Sequence, residues 1–189
     1  TFKIGSLGVF TSQPKQLIRL NLDDRFLIEV DEHPILHGDS PATLLAVPHA
    51  HRSTVGSGEK ALMFARALTS NHPGALVLAN AGPSESSAGG IYGGEKVIAE
   101  NGCILAEDNS LAEPDSRMIV ADIDAAAICW RRRRNGCNRV TASDAEMIEY
   151  SICETQDVNI LRPTNPQPFL PADHRERQIS CSEILSIER

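Results

Sequence analysis

Short apolar runs punctuated by glycine, proline and charge set the rhythm of this chain. Phe26-Leu27-Ile28-Glu29-Val30 reads as a buried strand, ended by Asp31-Glu32-His33-Pro34 because proline disfavours continuation. Thr43 to Val47 reads as a second strand, stopped at Pro48. Beyond Gly56 the continuous apolar runs give way to a period of 3.6. Ala61, Phe64, Ala65 and Leu68 form one apolar stripe, which predicts a helix over residues 57–71, with Ser57 as its cap and Asn71-His72-Pro73-Gly74 as its stop.

Ala75 to Ala79 predicts a third strand, followed by a loop of small residues from Asn80 to Gly90. Lys96 to Ala99 and Cys103 to Ala106 flank Asn101-Gly102, the favoured dipeptide of a tight hairpin. Met118 to Ala121 reads as a further strand, and Asp124 as the cap of a helix running to Arg134. Residues 1–25 carry little pattern. From about Asn135 the pattern dissolves, and Pro163, Pro166, Pro168 and Pro171 predict an extended linker before helical character returns at Ile179. The order of elements is α/β in class.

Composition narrows the function. The chain has 189 residues, enough for one domain with a sizeable core. Hydrophobic residues make up 41 % but aromatics only 4 %, so the core is expected to be aliphatic and alanine-rich. A net charge of −7 argues against a general nucleic-acid surface. The five cysteines form no C-x-x-C pair, which points to a reducing cytoplasm rather than a disulfide framework. No apolar run approaches the ~20 residues of a membrane span. The opening on Thr1 rather than Met is expected of a piece of a longer product.

The stretch from Gly74 to Gly102, GALVLANAGPSESSAGGIYGGEKVIAENG, carries a strand, a NAG-x-x-ES-like loop and an ENG turn. With Val120-Ala121-Asp122-Ile123-Asp124, and with Pro168-Phe169-Leu170-Pro171 followed by Cys181, Glu183 and Ile184, it resembles the later part of the glutaminase domain of glutamine-dependent NAD synthetases, in the nitrilase (carbon–nitrogen hydrolase) superfamily. The resemblance implies part of an αββα sandwich over residues 1–135, a linker over 136–178, and over 179–189 the start of a helix leading to a ligase domain. ATP and deamido-NAD would belong to that ligase domain, and this chain would hold no cofactor of its own. The expected partners are the upstream part of the domain, the ligase domain or another subunit, in an oligomer, with neither nucleic acid nor membrane.

The family's chemistry uses a Glu base, a Lys that stabilises the tetrahedral intermediate, and a Cys that attacks the amide of glutamine. By the resemblance, the Glu and Lys fall upstream of Thr1. The Cys should stand in a V-E-I-C-E-D-like run, and here that run is Ile28-Glu29-Val30-Asp31-Glu32-His33. Asp31 occupies the nucleophile position. Glu32, His51 and Ser57 fall on substrate-pocket positions, His51 in place of a serine and Ser57 in place of a basic residue. Loss of nucleophile and pocket contacts together implies abandoned chemistry and a structural or interactive role.

Asp31, Glu32, His33, His37, Asp39, His49 and His51 are also dense in metal-ligand types. Asp31, His49 and His51 would suit Zn²⁺ if the strands converged, with hydrolase activity as the alternative function. The plainer reading is a set of polar loop residues. Arg131-Arg132-Arg133-Arg134 reads as a solvated helix C-terminus, where cations offset the dipole, in preference to a phosphate site. Gly82 to Ser87 lacks the Lys of a phosphate loop, and reads as pocket lining inherited from the fold.

Overall fold

The structure is a computed structural model that describes residues 16–20, 27–31, 42–109, 117–135, 146–150, 162, 167, 170–171 and 173–188. The chain divides into two units, Thr1–Val158 and Asn159–Arg189. The first unit is built on one mixed sheet, of seven strands among the described residues. They are β1 (Gln16–Leu20), β2 (Leu27–Val30), β3 (Leu44–His49), β4 (Ala75–Asn80), β5 (Lys96–Glu100), β6 (Cys103–Asp108) and β7 (Glu146–Tyr150), in the spatial order β6-β5-β4-β3-β2-β1-β7. The central run β2-β3-β4 is parallel. The flanking pairs β4-β5, β5-β6 and β1-β2 are antiparallel, and β7 adds to β1 in parallel. This α/β sheet is consistent with part of a nitrilase-like domain.

Helix α1 (Ser57–Asn71) is the crossover between the parallel strands β3 and β4. Its Ala65 and Leu68 are buried against Val47, Leu76, Leu78, Val97 and Ala99, and Phe64 and Ala61 pack at the margin. Fully burying a side chain such as Leu76 or Val97 contributes about 1.5–3 kcal/mol, so this cluster is where the unit is held together. The cores of β3, β4 and β5 are aliphatic and alanine-rich, as the composition demands.

Several elements depart from expectation. Pro48 does not stop β3, which runs on to His49. Ala46 accepts from the Asp31 amide on the β2 side, and His49 accepts from the Ala81 amide on the β4 side. By alternation Pro48 faces the β2 side, beyond the end of β2 at Val30, so its missing N–H breaks no ladder bond. Helix α1 starts from Gly56, in the left-handed region at φ 83°, with no side-chain cap, and Ser57 is not the capping residue. Met118 to Ala121 forms no regular strand. Strands β1 and β7 lie in segments expected to be unpatterned or linker, and β7 takes residues 146–150 out of the linker reading.

The Asn101-Gly102 hairpin is present as expected, both residues at positive φ (49° and 89°) between β5 and β6. Helix α2 (Ala125–Arg134) is capped as expected, Asp124 accepting from the Ala127 amide at 2.8 Å. The Asp124 amide in turn donates to Glu100 at the end of β5 (2.8 Å), and Arg132 donates to the Ala42 carbonyl before β3 (2.6 Å). The arginine run is therefore not uniformly solvated. Arg132 is buried, Arg131 reaches the Asn101 carbonyl, and Arg134 lies over the exposed Trp130 ring at 5.4 Å.

In the second unit, helix α3 (His174–Ile187) begins earlier than its apolar pattern indicates, because Asp173 caps it by accepting from the Glu176 amide at 2.9 Å. None of its residues is buried. Among the described residues, no helix is long and apolar enough to cross a membrane.

Candidate functional site

The carboxyl ends of β3 and β4 and the first turns of α1 enclose a cavity of about 200 Å³. In open parallel sheets this end of the strands is where ligands are held. His49 ends β3 and His51 follows it, their rings edge to face with centroids 5.5 Å apart. Ser57 and Lys60 come from the start of α1, Asn80 from the end of β4, and Glu95 from just before β5. Ala61, Phe64 and Leu78 supply the apolar wall.

Glu95 organises this end of the sheet. It precedes Val97 and Ala99 at the strand period of two, so it points to the same inner face, and it is 3 % exposed. Its Oε1 accepts from Ser53 Oγ at 2.7 Å and Ser57 Oγ at 2.6 Å, and its Oε2 from Asn80 Nδ2 at 2.6 Å. Burial alone raises the pKa of a carboxyl. Here it is outweighed by donors, from Asn80, Ser57, Ser53 and the residue's own backbone, which hold Glu95 down to about 2. It is a fixed anion, too acidic to serve as a general base near neutrality.

Asn80 extends the network into the loop after β3. Its Oδ1 accepts from the His51 amide and its Nδ2 donates to the His51 carbonyl, both at 2.9 Å, so a side-chain amide takes the place of a strand neighbour. Ser53 adds a second tie, accepting from the Gly93 amide at 2.7 Å, while its own amide donates to the Ile91 carbonyl. The segment from His51 to Ser57 is thereby stapled to the β4–β5 connection.

His49, His51 and Ser57 thus come together, and Asp31 does not join them. Asp31 is half-buried one residue beyond β2, and its amide donates to the Ala46 carbonyl at 3.1 Å. That bond sets it beside Val47, two positions short of His49, and it is not part of the cavity wall. Among the described residues no group of three or more His, Cys, Asp or Glu side chains can hold a metal ion, so Asp31, His49 and His51 form no such site. Glu32, His33, His37 and Asp39 lie outside the described residues. The loop around Pro83–Glu85, expected to line the pocket, is exposed and contributes no wall residue.

Sequence reasoning passed over Glu95, Asn80, Ser53 and Lys60. The signal for Glu95 was its period-two spacing from Val97 and Ala99, which turns a charge inward. Asn80 and Ser53 carry no pattern of their own, since their partners, the Glu95 carboxylate and backbone groups, lie far away in the chain.

No protein-family model matches the chain. Curated relatives include the glutamine-dependent NAD(+) synthetases of Mycobacterium bovis, Mycobacterium tuberculosis and Mycobacterium leprae. Each is 30 % identical over 155 residues, which is 78 % of this chain and 23 % of the relative. The chain therefore spans less than a quarter of the length of these relatives. Over that stretch it is related in sequence to the glutamine-dependent NAD(+) synthetases.

Proposed function

We propose that this chain is a glutaminase-like portion of an NAD synthetase-type protein that no longer hydrolyses glutamine and serves a structural or interactive role. The carrying observation is Asp31, a carboxylate where the resemblance expects the nucleophilic thiol. Attack by a carboxylate on an amide would form a mixed anhydride and expel ammonia, a far costlier intermediate than a thioester. The cavity's chemistry supports the same reading. Ser57 stands at the position of a basic substrate contact and donates its hydroxyl to Glu95. Its neighbour Glu95 stays ionised and fully engaged.

In this reading the chain works beside an upstream segment, a ligase domain or another subunit, in the cytoplasm. ATP and deamido-NAD are handled elsewhere in the assembly. Ammonia release from glutamine, followed by a coupled assay, tests it. The expected result is no release above the buffer control. Turnover that disappears with Asp31→Ala would overturn the proposal.

A further inference from the structure

We propose that the outer face of α2, formed by Trp130, Arg133 and Arg134, docks an acidic segment of a partner protein. The inference rests on the interactive role proposed above and gives that role a surface; none of the three residues lines the cavity. Geometry is the first argument. At about 100° per residue, helix positions four apart share a face and positions two apart lie nearly opposite. Ile128 and Arg132 are both buried, and Arg132 donates to the Ala42 carbonyl at 2.6 Å, so their face anchors α2. Trp130 and Arg134 stand two positions further on, on the opposite face, and both are exposed. Arg133, also exposed, joins them three positions after Trp130.

The second argument is the kind of surface this makes. Trp130 is the sole tryptophan of the chain, and 58 % of it is exposed, although a large aromatic gains most from burial. The Arg134 guanidinium stands over its ring, 5.4 Å from the centroid. Tryptophan and arginine are the residues that dominate binding energy at protein interfaces. A pair already stacked loses less freedom when a partner arrives.

The third argument is charge. Helix α2 carries four cations and no acid, in a chain of net charge −7. The dipole leaves roughly half a charge at a helix C-terminus, so four cations far exceed what it can offset. Arg131 donates to the Asn101 carbonyl and Arg132 to that of Ala42, which gives these two a structural task. Arg133 and Arg134 remain to face a partner. Asp124 sits at the other end of α2, where it caps the helix. Guanidinium forks pair with carboxylates by two parallel bonds, so the matching ligand is a run of Asp or Glu side chains. The negative charge of the whole chain disfavours a nucleic acid in that place.

The test follows Trp130 emission in the whole chain as an oligoglutamate peptide is added, with calorimetry as a second readout. Saturable binding is expected, weakened by added salt and about tenfold by the double substitution Arg133→Ala, Arg134→Ala. Both side chains are exposed, so the double variant keeps its core. No saturable binding in either readout, or undiminished binding by the folded double variant, would overturn the proposal. So would tighter binding of oligouridylate than of oligoglutamate, which would assign the face to nucleic acid. Ammonia release from glutamine is measured in parallel. Release with peptide binding intact would remove the inactive reading and leave this surface standing. No release and no peptide binding would remove the surface alone.

Discussion

Ser57 gives its hydroxyl to Glu95, 2.6 Å away, rather than to the helix it begins. The residue stands at the first position of α1, where a serine side chain is no longer placed to cap. Gly56 makes the turn into the helix, and Ser57 is released to close a polar network around a buried carboxylate. The network joins residues from four parts of the chain, so its stability and the shape of the cavity are one property.

Acid should loosen this network. The folded pKa of Glu95, about 2, lies below its ordinary value of 4.5. The unfolded chain therefore binds the proton more tightly. The stabilisation is complete above pH 4.5 and declines as pH falls towards 2, with a magnitude on the order of 3 kcal/mol. Urea midpoints of the parent and Glu95→Gln should differ widely at pH 7, draw closer as pH falls below 4.5, and converge only as it approaches 2. A gap independent of pH would show that the charge of Glu95 is not what matters.

Gly102 should resist substitution. Its φ of 89° is left-handed, and an added Cβ would collide with Ser70 Oγ. We expect Gly102→Ala to cost about 1–3 kcal/mol in denaturant unfolding. Ser70→Ala in the same background should recover only the steric share of that loss.

The four arginines of α2 should behave differently from one another. Arg132→Ala removes a donor to the Ala42 carbonyl at a buried position, and about 2 kcal/mol of stability should go with it. Arg133 is exposed, and Arg133→Ala should stay within about 0.5 kcal/mol of the parent. Equal losses would mean that α2 is not anchored through Arg132.

Restoring a thiol should not restore chemistry. Asp31→Cys is expected to release no ammonia from glutamine in the coupled assay, because nucleophile, base and pocket contacts act as a unit. Measurable turnover by this variant would show that the pocket has kept its competence.

The isolated chain should self-associate. Helix α1 covers the face of the sheet that carries Val47 and Leu78. On the opposite face Pro48 and its partner Ala79 are exposed, and Ala46 and Val77 are only half-buried. Size-exclusion chromatography with light scattering should report species larger than 20.5 kDa. A monodisperse monomer would show that this face needs no cover.

What could be read in the sequence was whatever local chemistry decides. The α1 stripe, the Asn101-Gly102 turn and the Asp124 cap each depend on residues a few positions apart, and each is found where expected. Strand β3 was cut short because a proline reads as a stop, and only the neighbouring strand's length shows that Pro48 has no ladder bond to lose. Strands β1 and β7 were missed because each is specified by pairing with a distant segment. The site divides in the same way. His49, His51 and Ser57 stood out by type and by resemblance. Glu95 and Asn80, which position the loop that carries His51, were hidden because their partners lie 15 to 42 residues away.

The order of the strands also bears on how the first unit is assembled in time. Strands β4, β5 and β6 are consecutive in the chain, β5 and β6 are joined by the tight Asn101-Gly102 turn, and α1, which packs on them, ends just before β4. Contacts of such short range form early, since little loop entropy is lost in closing them. The β1–β7 edge is the opposite case, because Gln16 must find Glu146 across most of the unit. That edge is the expected last step of folding and first step of unfolding. A chain emerging from the ribosome would hold its α1 core, cavity included, before β7 has been made.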